Sequence, residues 1–193
     1  GSGVQEIITT REAAVEASLV PGTRALGFDH LEDVIAHLEG SETVSPTLAP
    51  SPESLPFSSL RLDDVRGQSM ARAAVEITVA GRHNLLLHGP PGTGKSLLAA
   101  RVAGLLPPLG EQEALELARV EALLAPLPSL PAAPPFRAPH TSASAQALLG
   151  GGRPIRPGEI SRAHGGVLFL DELPEFPRPL LEGLRQPLEE NEV

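Results

Sequence analysis

Cysteine, tryptophan and tyrosine are absent from these 193 residues, and five phenylalanines are the whole of the Phe, Trp and Tyr complement. Without thiols there is no disulfide framework, zinc ribbon, iron–sulfur cluster or cysteine nucleophile. Scattered phenylalanines, one of them (Phe57) in a Pro/Ser stretch, make no stacking platform for nucleic-acid bases. Long apolar runs are missing too. Stretches such as Val167 to Leu170 fall far short of the roughly 18 residues a membrane span requires, and no basic segment leads into an apolar one at the start, as in a secretory signal. The expectation is a cytoplasmic protein with no membrane partner. Gly1-Ser2-Gly3 stands in place of an initial Met, as in the scar of an expression tag or a native chain cut from something longer.

What is present reads as a folded protein, with 41 % apolar and 20 % charged residues. The net charge of -9 is unevenly spread. Residues 1–40 oppose seven acids with only Arg11 and Arg24. Residues 61–193 are close to balanced, so uniform attraction to nucleic acid is not expected. Residues 133–166 reverse the sign, with Arg137, Arg153, Arg156 and Arg162 against Glu159 and with His140 and His164 in addition. A polyanion contact belongs there.

Residues 41–60 hold Pro46, Pro50, Pro52 and Pro56 among eight Ser or Thr, the composition of a semi-extended linker. Before it, an apolar segment around Ile7 and Ile8 precedes a helix over Glu12–Leu19. Leu31, Val34, Ile35 and Leu38 share one face of a second helix. Forty residues rarely hold a core alone, so residues 1–40 read as part of a larger domain. After the linker, helices are expected over Met70–Ala80, Ser96–Leu106 and Glu111–Ala125. Buried strands are expected over Asn84–His88 and Gly166–Leu170. Apolar strands alternating with helices argue for an α/β fold, a parallel sheet with helices on both faces.

Gly89-Pro90-Pro91-Gly92-Thr93-Gly94-Lys95-Ser96 matches the phosphate-loop pattern G-x-x-x-x-G-K-S between an expected strand and an expected helix. The glycines let backbone N–H groups curl around phosphates, and the positive end of the helix dipole points at them. Lys95 reaches the β and γ oxygens and the Ser96 hydroxyl binds Mg²⁺. Fourteen of the fifteen basic residues are Arg, so Lys95 is the sole lysine. A compact ammonium enters such a cradle where a planar guanidinium fits badly. The nucleotide contacts run from Gly89 through Leu97. Downstream, Val167-Leu168-Phe169-Leu170 delivers Asp171 and Glu172 at its C-terminal end, the edge where ligands bind in open parallel sheets. Asp171 holds Mg²⁺ directly or through water, and Glu172 orients and deprotonates the attacking water. Lys95 and Glu172 are thus the catalytic candidates, and Ser96 and Asp171 the metal ligands.

These motifs, together with Asp64-Val65-Arg66-Gly67-Gln68, Phe136-Arg137-Ala138-Pro139-His140, Gly150-Gly151-Gly152, Arg156-Pro157-Gly158-Glu159-Ile160-Ser161, Val167 through Phe176 and Leu184-Arg185-Gln186-Pro187-Leu188-Glu189, resemble the Mg-chelatase-like AAA+ ATPases of the ComM/YifB branch. The resemblance covers residues 61–193 and implies an AAA+ P-loop core. Residues 1–40 resemble the end of that family's N-terminal domain, which is similar to ribosomal protein S5 domain 2 and the Lon protease domain. The resemblance implies ATP and Mg²⁺ as cofactors, Val65 and Gly67 near the adenine, and a helix-2 insert over about 136–166 facing the pore of a hexameric ring. Members similar to ComM are branch-migrating motors on single-stranded or branched DNA in natural transformation. Arg137, His140, Arg153 and Arg156 are the expected DNA contacts; the alternative is that the arginines are solvated or subunit-interface charges.

The family's usual histidine pair after Arg-Ala-Pro is here His140-Thr141. Its sensor asparagine, arginine finger and helical lid would follow Val193, so this chain is expected to bind nucleotide better than it hydrolyses it. A subunit of a metal-insertion machine such as magnesium chelatase shares every motif, and a nucleotide-gated interaction module without turnover is a third reading. His30 and His37 have no partners at metal spacing. Glu111, Glu113 and Glu116 read as the exposed face of a helix, and Pro174 and Pro177 as shaping the loop after Glu172.

Overall fold

The computed structural model describes residues 6–50 and 61–185. Half of the expected linker (51–60) and the end of the motif run (186–193) lie outside the described residues. The N-terminal unit runs β1 (Glu6–Thr10), α1 (Arg11–Ser18), β2 (Arg24–Phe28), α2 (Leu31–Leu38). The segment around Ile7 and Ile8 is a strand, pairing in parallel with β2 so that Ile7 lies opposite Ala25. A parallel pair cannot be joined by a tight turn, and α1 supplies the crossover. Thr10 caps α1, its Oγ1 accepting from the Ala13 N–H at 3.4 Å. The helix sits close because residue 27 is Gly: a Cβ there would stand 2.8 Å from the Arg11 Cα. Ala14, Ala25 and Leu26 are fully buried between these elements, whereas Leu31, Ile35 and Leu38 of α2 face solvent. Residues 41–50 are not free of this unit. The Thr47 N–H donates to the Ala25 carbonyl at 2.8 Å and the Val44 N–H to Nδ1 of His37 at 3.4 Å.

Beyond residue 61 a short 3-10 turn at Leu62–Asp64 precedes α3 (Ser69–Gly81), α4 (Lys95–Leu105) and α5 (Glu111–Ala122), close to the expected bounds. Gly81 is the last residue of α3, and it is Arg82 in the left-handed region (φ 50°) that closes the helix. The strands depart from expectation. Asn84–His88 has no ladder partner among the described residues; Leu85 and Leu87 pack on the core while Leu86 is 78 % exposed. An apolar run records hydrophobicity, but a strand exists only where another backbone lies alongside. The expected continuous parallel sheet is, among the described residues, three two-stranded pieces. Besides β1–β2, these are β3 (Phe136–Arg137) parallel to β6 (Val167–Leu168) and β4 (Gly150–Gly151) antiparallel to β5 (Arg156–Pro157). The strand expected over Gly166–Leu170 is half-buried and paired on one side.

α6 (Ala145–Leu149) precedes the β4–β5 hairpin, α7 (Glu159–Arg162) follows it, and α8 (Arg178–Gly183) closes the described chain. Pro174 lies in a 3-10 turn and Pro177 caps α8, as expected of the loop after Glu172. Strand β6 and its extension lie between two core clusters. Val167 packs against Leu62, Val65, Val75, Leu98 and Val102; Leu168 and Leu170 pack against Leu148, Phe176, Leu180 and Leu184. This is the period-2 alternation of a strand, and it fixes the direction in which the chain delivers residue 171.

Candidate phosphate-binding site

The loop from Gly89 to Gly94 leads into α4 with Gly92 and Gly94 at φ 78° and 83°, a region closed to most side chains and open to glycine. Gly94 is the cap residue, so the first N–H groups of α4 point into the loop. Lys95, the first helical residue, folds its side chain back over the loop, and Nζ donates to the carbonyls of Gly89 (2.9 Å) and Pro90 (3.0 Å). The Thr93 hydroxyl donates to the Pro90 carbonyl at 3.0 Å. The ammonium is therefore held over the cradle by the loop's own backbone.

Ser96 and Asp171 meet across 75 residues, the Ser96 hydroxyl donating to Oδ2 of Asp171 at 2.7 Å. That is the length of a charge-assisted O–H···O⁻ bond. The other carboxylate oxygen of Asp171 accepts the Glu172 N–H at 3.0 Å. Glu172 itself is held at φ 52°, an unfavourable conformation for a residue with a Cβ and of the kind that clusters at functional sites. The residue is exposed.

A cleft of about 450 Å³ opens on the loop, lined by Gln68, Ala71, Leu87, His88, Lys95 and Leu98 among others, a size usual for small-molecule sites. Gln68 is the residue that sequence reasoning missed. It stands in the left-handed region at φ 51°, and its Nε2 donates to the Thr93 carbonyl at 2.7 Å, pinning the phosphate loop from the side. Its place immediately after Gly67, ahead of a helix, was the available signal. Val65, expected near a base, is 2 % exposed and belongs to the core. Gly67 is a turn residue at φ 69° and, like Pro91, Ser96 and Leu97, is absent from the residues lining the cleft.

Buried Arg101 of α4 fastens the segment that carries Gln68. Its Nε donates to the Arg61 carbonyl at 2.8 Å and Nη1 to the Leu97 carbonyl at 2.7 Å.

The basic stretch of residues 133–166 resolves into two parts. Arg137 is engaged with Glu159 through two bonds, of 2.5 and 2.7 Å. Arg162 is engaged with Glu121 and Glu159 at 3.0 and 3.1 Å. Arg137 holds the Glu159 carboxyl below the usual carboxylate range, and Glu159 raises Arg137. Glu121, from α5, lies outside the stretch in sequence and cancels charge that segment arithmetic counted as free. Arg137, one of the expected DNA contacts, is an internal partner of Glu159 with about a quarter of its side chain exposed. Arg153 and Arg156, at and beside the tip of the β4–β5 hairpin, are exposed. His140 is also exposed, with Nδ1 bonded to the Ser142 hydroxyl at 2.8 Å.

The acids of α5 are more than a solvated face. Glu113 pairs with Arg82, Glu116 with His164 at 2.8 Å and Glu121 with Arg162, linking α5 to the end of α3 and to the end of α7. Glu113 is lowered mainly by its hydrogen bond from Arg82.

Together these features define a mixed α/β protein with a glycine-rich loop at a helix N-terminus and Asp171 hydrogen-bonded to the first turn of that helix. The family model described as magnesium chelatase, subunit ChlI, matches residues 61–193. The YifB protein of Salmonella typhimurium is 47 % identical over 98 % of this chain and 38 % of its own length. The YifB protein of Escherichia coli is 46 % identical over the same shares, and the competence protein ComM of Haemophilus influenzae 47 %. The chain belongs to the Mg-chelatase-like family, in its ComM/YifB branch, and spans about 38 % of the length of these relatives. Among the described residues no helix is long and apolar enough to cross a membrane.

Proposed function

We propose that this chain is the nucleotide-binding part of a Mg²⁺-dependent AAA+ ATPase that works as a ring hexamer and remodels single-stranded or branched DNA. Residues 61–193 form its P-loop core, with an insert over about 136–166. Residues 1–40 form the end of an S5 domain 2-like domain. The observation that carries the reading is the Ser96–Asp171 contact at 2.7 Å, since two hard oxygen ligands from distant motifs converge beside the phosphate loop. Among the described residues no three His, Asp or Glu side chains converge on a metal position. This suits Mg²⁺, which takes one or two protein oxygens and completes its shell with phosphate and water. When bound it neutralises charge on the phosphate oxygens.

The chain's own groups do the rest. Lys95 meets the phosphates with a charge already in place, the loop and α4 N–H groups donate to them, and Gln68 keeps the loop in shape. Glu172 accepts the proton of the attacking water at its carboxylate. Arg153 and Arg156 on an exposed hairpin support contact with DNA phosphates, and the name of the Haemophilus relative, a competence protein, agrees with DNA as the substrate. The chelatase description of the family model favours a second reading, an ATPase subunit of a metal-insertion complex. Stimulation of turnover by forked or single-stranded DNA, as against dependence on a porphyrin-binding partner, separates the two.

Titration with a fluorescent ATP analogue and Mg²⁺ tests the site. Lys95→Ala loses about a hundredfold in affinity, the cost of removing one partner of a charge pair. In the complete protein, Glu172→Gln binds ATP and does not turn it over. Normal hydrolysis by that variant would overturn the role of Glu172, and undiminished binding by Lys95→Ala would overturn the site.

A further inference from the structure

Two of the sequence motifs, Phe136 to His140 and Arg156 to Ser161, supply no residue to the phosphate loop or its cleft, yet an ion pair joins them. Arg137 lies in β3 opposite Leu168 of β6, and its carbonyl accepts the Phe169 N–H at 2.8 Å. Two residues beyond Phe169 is Asp171, bonded to Ser96. From the same residue the guanidinium reaches Glu159 with two bonds, of 2.5 and 2.7 Å. Glu159 opens α7 directly after β5, three residues from Arg156. Arg137 therefore holds the strand that delivers Asp171 with its backbone and the base of the arginine-bearing hairpin with its side chain.

Apolar packing also lies between these parts, through Leu148 against Leu168 and Leu170. Apolar contact is non-directional and tolerates sliding, whereas a bidentate guanidinium–carboxylate pair fixes orientation. Both side chains are only about a quarter exposed, so the pair is weakly screened by salt.

We infer that Arg137 and Glu159 are positioning residues whose fork makes an anionic strand at Arg153 and Arg156 and a nucleotide at the phosphate loop alter each other's affinity. This rests on the reading of the site given above and adds to it the route by which one ligand reports on the other. Coupling of this kind is reciprocal in free energy.

The test is the affinity of the chain for a fluorescent ATP analogue with Mg²⁺, with and without saturating oligothymidylate, and the affinity for oligothymidylate with and without the analogue. The wild-type chain shows the same factor in both directions, on the order of fivefold. Glu159→Gln binds each ligand alone with unchanged affinity, but the factor falls to about one, the value for uncoupled sites. Arg137→Lys keeps the charge, cannot form the fork, and loses the factor likewise; it decides the matter if Glu159→Gln melts early. Arg82→Gln breaks a different ion pair, that with Glu113, leaves Glu159 with both of its arginine partners, and retains the factor, as a mere loss of a surface ion pair would predict for every variant. Retention of the factor in Glu159→Gln and Arg137→Lys, or its absence in the wild type, would overturn the inference while leaving the nucleotide site standing. Failure of the wild-type chain to bind the analogue at all would instead overturn the site, and the inference with it.

Discussion

Arg101→Ala probes how the phosphate site is supported. Arg101 is 6 % exposed on the helix that begins at the phosphate loop. It gives two short hydrogen bonds, to the carbonyls of Arg61 and Leu97, and Nη2 stands 3.9 Å from Asp64. A hydrogen bond from a charged donor contributes roughly 1.5–3 kcal/mol. Neither carbonyl is orphaned by truncation: Arg61 still accepts the Asp64 N–H, and Leu97 keeps its helical donor. The lower figure therefore applies to each, about 3 kcal/mol for the two. The void left by so long a side chain adds about 1 kcal/mol. Arg101→Ala should lose about 4 kcal/mol. Arg101→Met refills the space and is relieved of a buried charge, so its loss is about 1–2 kcal/mol. Urea unfolding followed by circular dichroism, with m unchanged, measures both. Loosening of the segment from Arg61 to Gln68 should also lower the affinity for an ATP analogue. A stability of Arg101→Ala within about 0.5 kcal/mol of wild type, the range of an ordinary surface change, would refute the view that this guanidinium fastens the segment to α4.

Three further outcomes are expected. Lys95→Arg fails to restore tight nucleotide binding despite its charge, because a planar fork does not fit between the Gly89 and Pro90 carbonyls; titration with the analogue shows it. Gln68→Ala frees the Thr93 carbonyl and weakens binding about fivefold, the equivalent of one hydrogen bond, with little change in melting temperature. Stability against acid depends on Glu159 and Glu113, whose carboxyls Arg137 and Arg82 hold below the usual range. Their contribution is complete above the usual carboxylate pKa and is lost as pH falls through the lowered values. Glu159→Gln should flatten the acid limb of a plot of melting temperature against pH; an unaltered limb would refute the pairing.

Local sequence was enough for the helices and for the phosphate loop. Glycines at 92 and 94, the only lysine at 95 and the stop signals at Gly81 and Pro107-Pro108 are nearest-neighbour signals, and the structure has helices close to the expected bounds and both glycines at positive φ. The expected strand over Asn84–His88 has no ladder partner among the described residues; three leucines in a row do not reveal which backbone, if any, lies beside them. The burial of Val65 is likewise a tertiary fact: packing with Leu62, Val75 and Leu98 places it in the core. Gln68 escaped notice because its partner is the Thr93 carbonyl, 25 residues on, and carbonyls leave no mark in a sequence.

The residue types present, with one lysine ammonium, no thiol and two consecutive acids after an apolar run, restrict the chemistry by themselves. Composition decides which groups can act. The tertiary structure alone decided which of those groups act together: it brought Ser96 to Asp171, neutralised Arg137 with Glu159 and Arg162 with Glu121, and left Arg153 and Arg156 exposed. Charge interactions fall off with distance through space, and distance along the chain does not measure it.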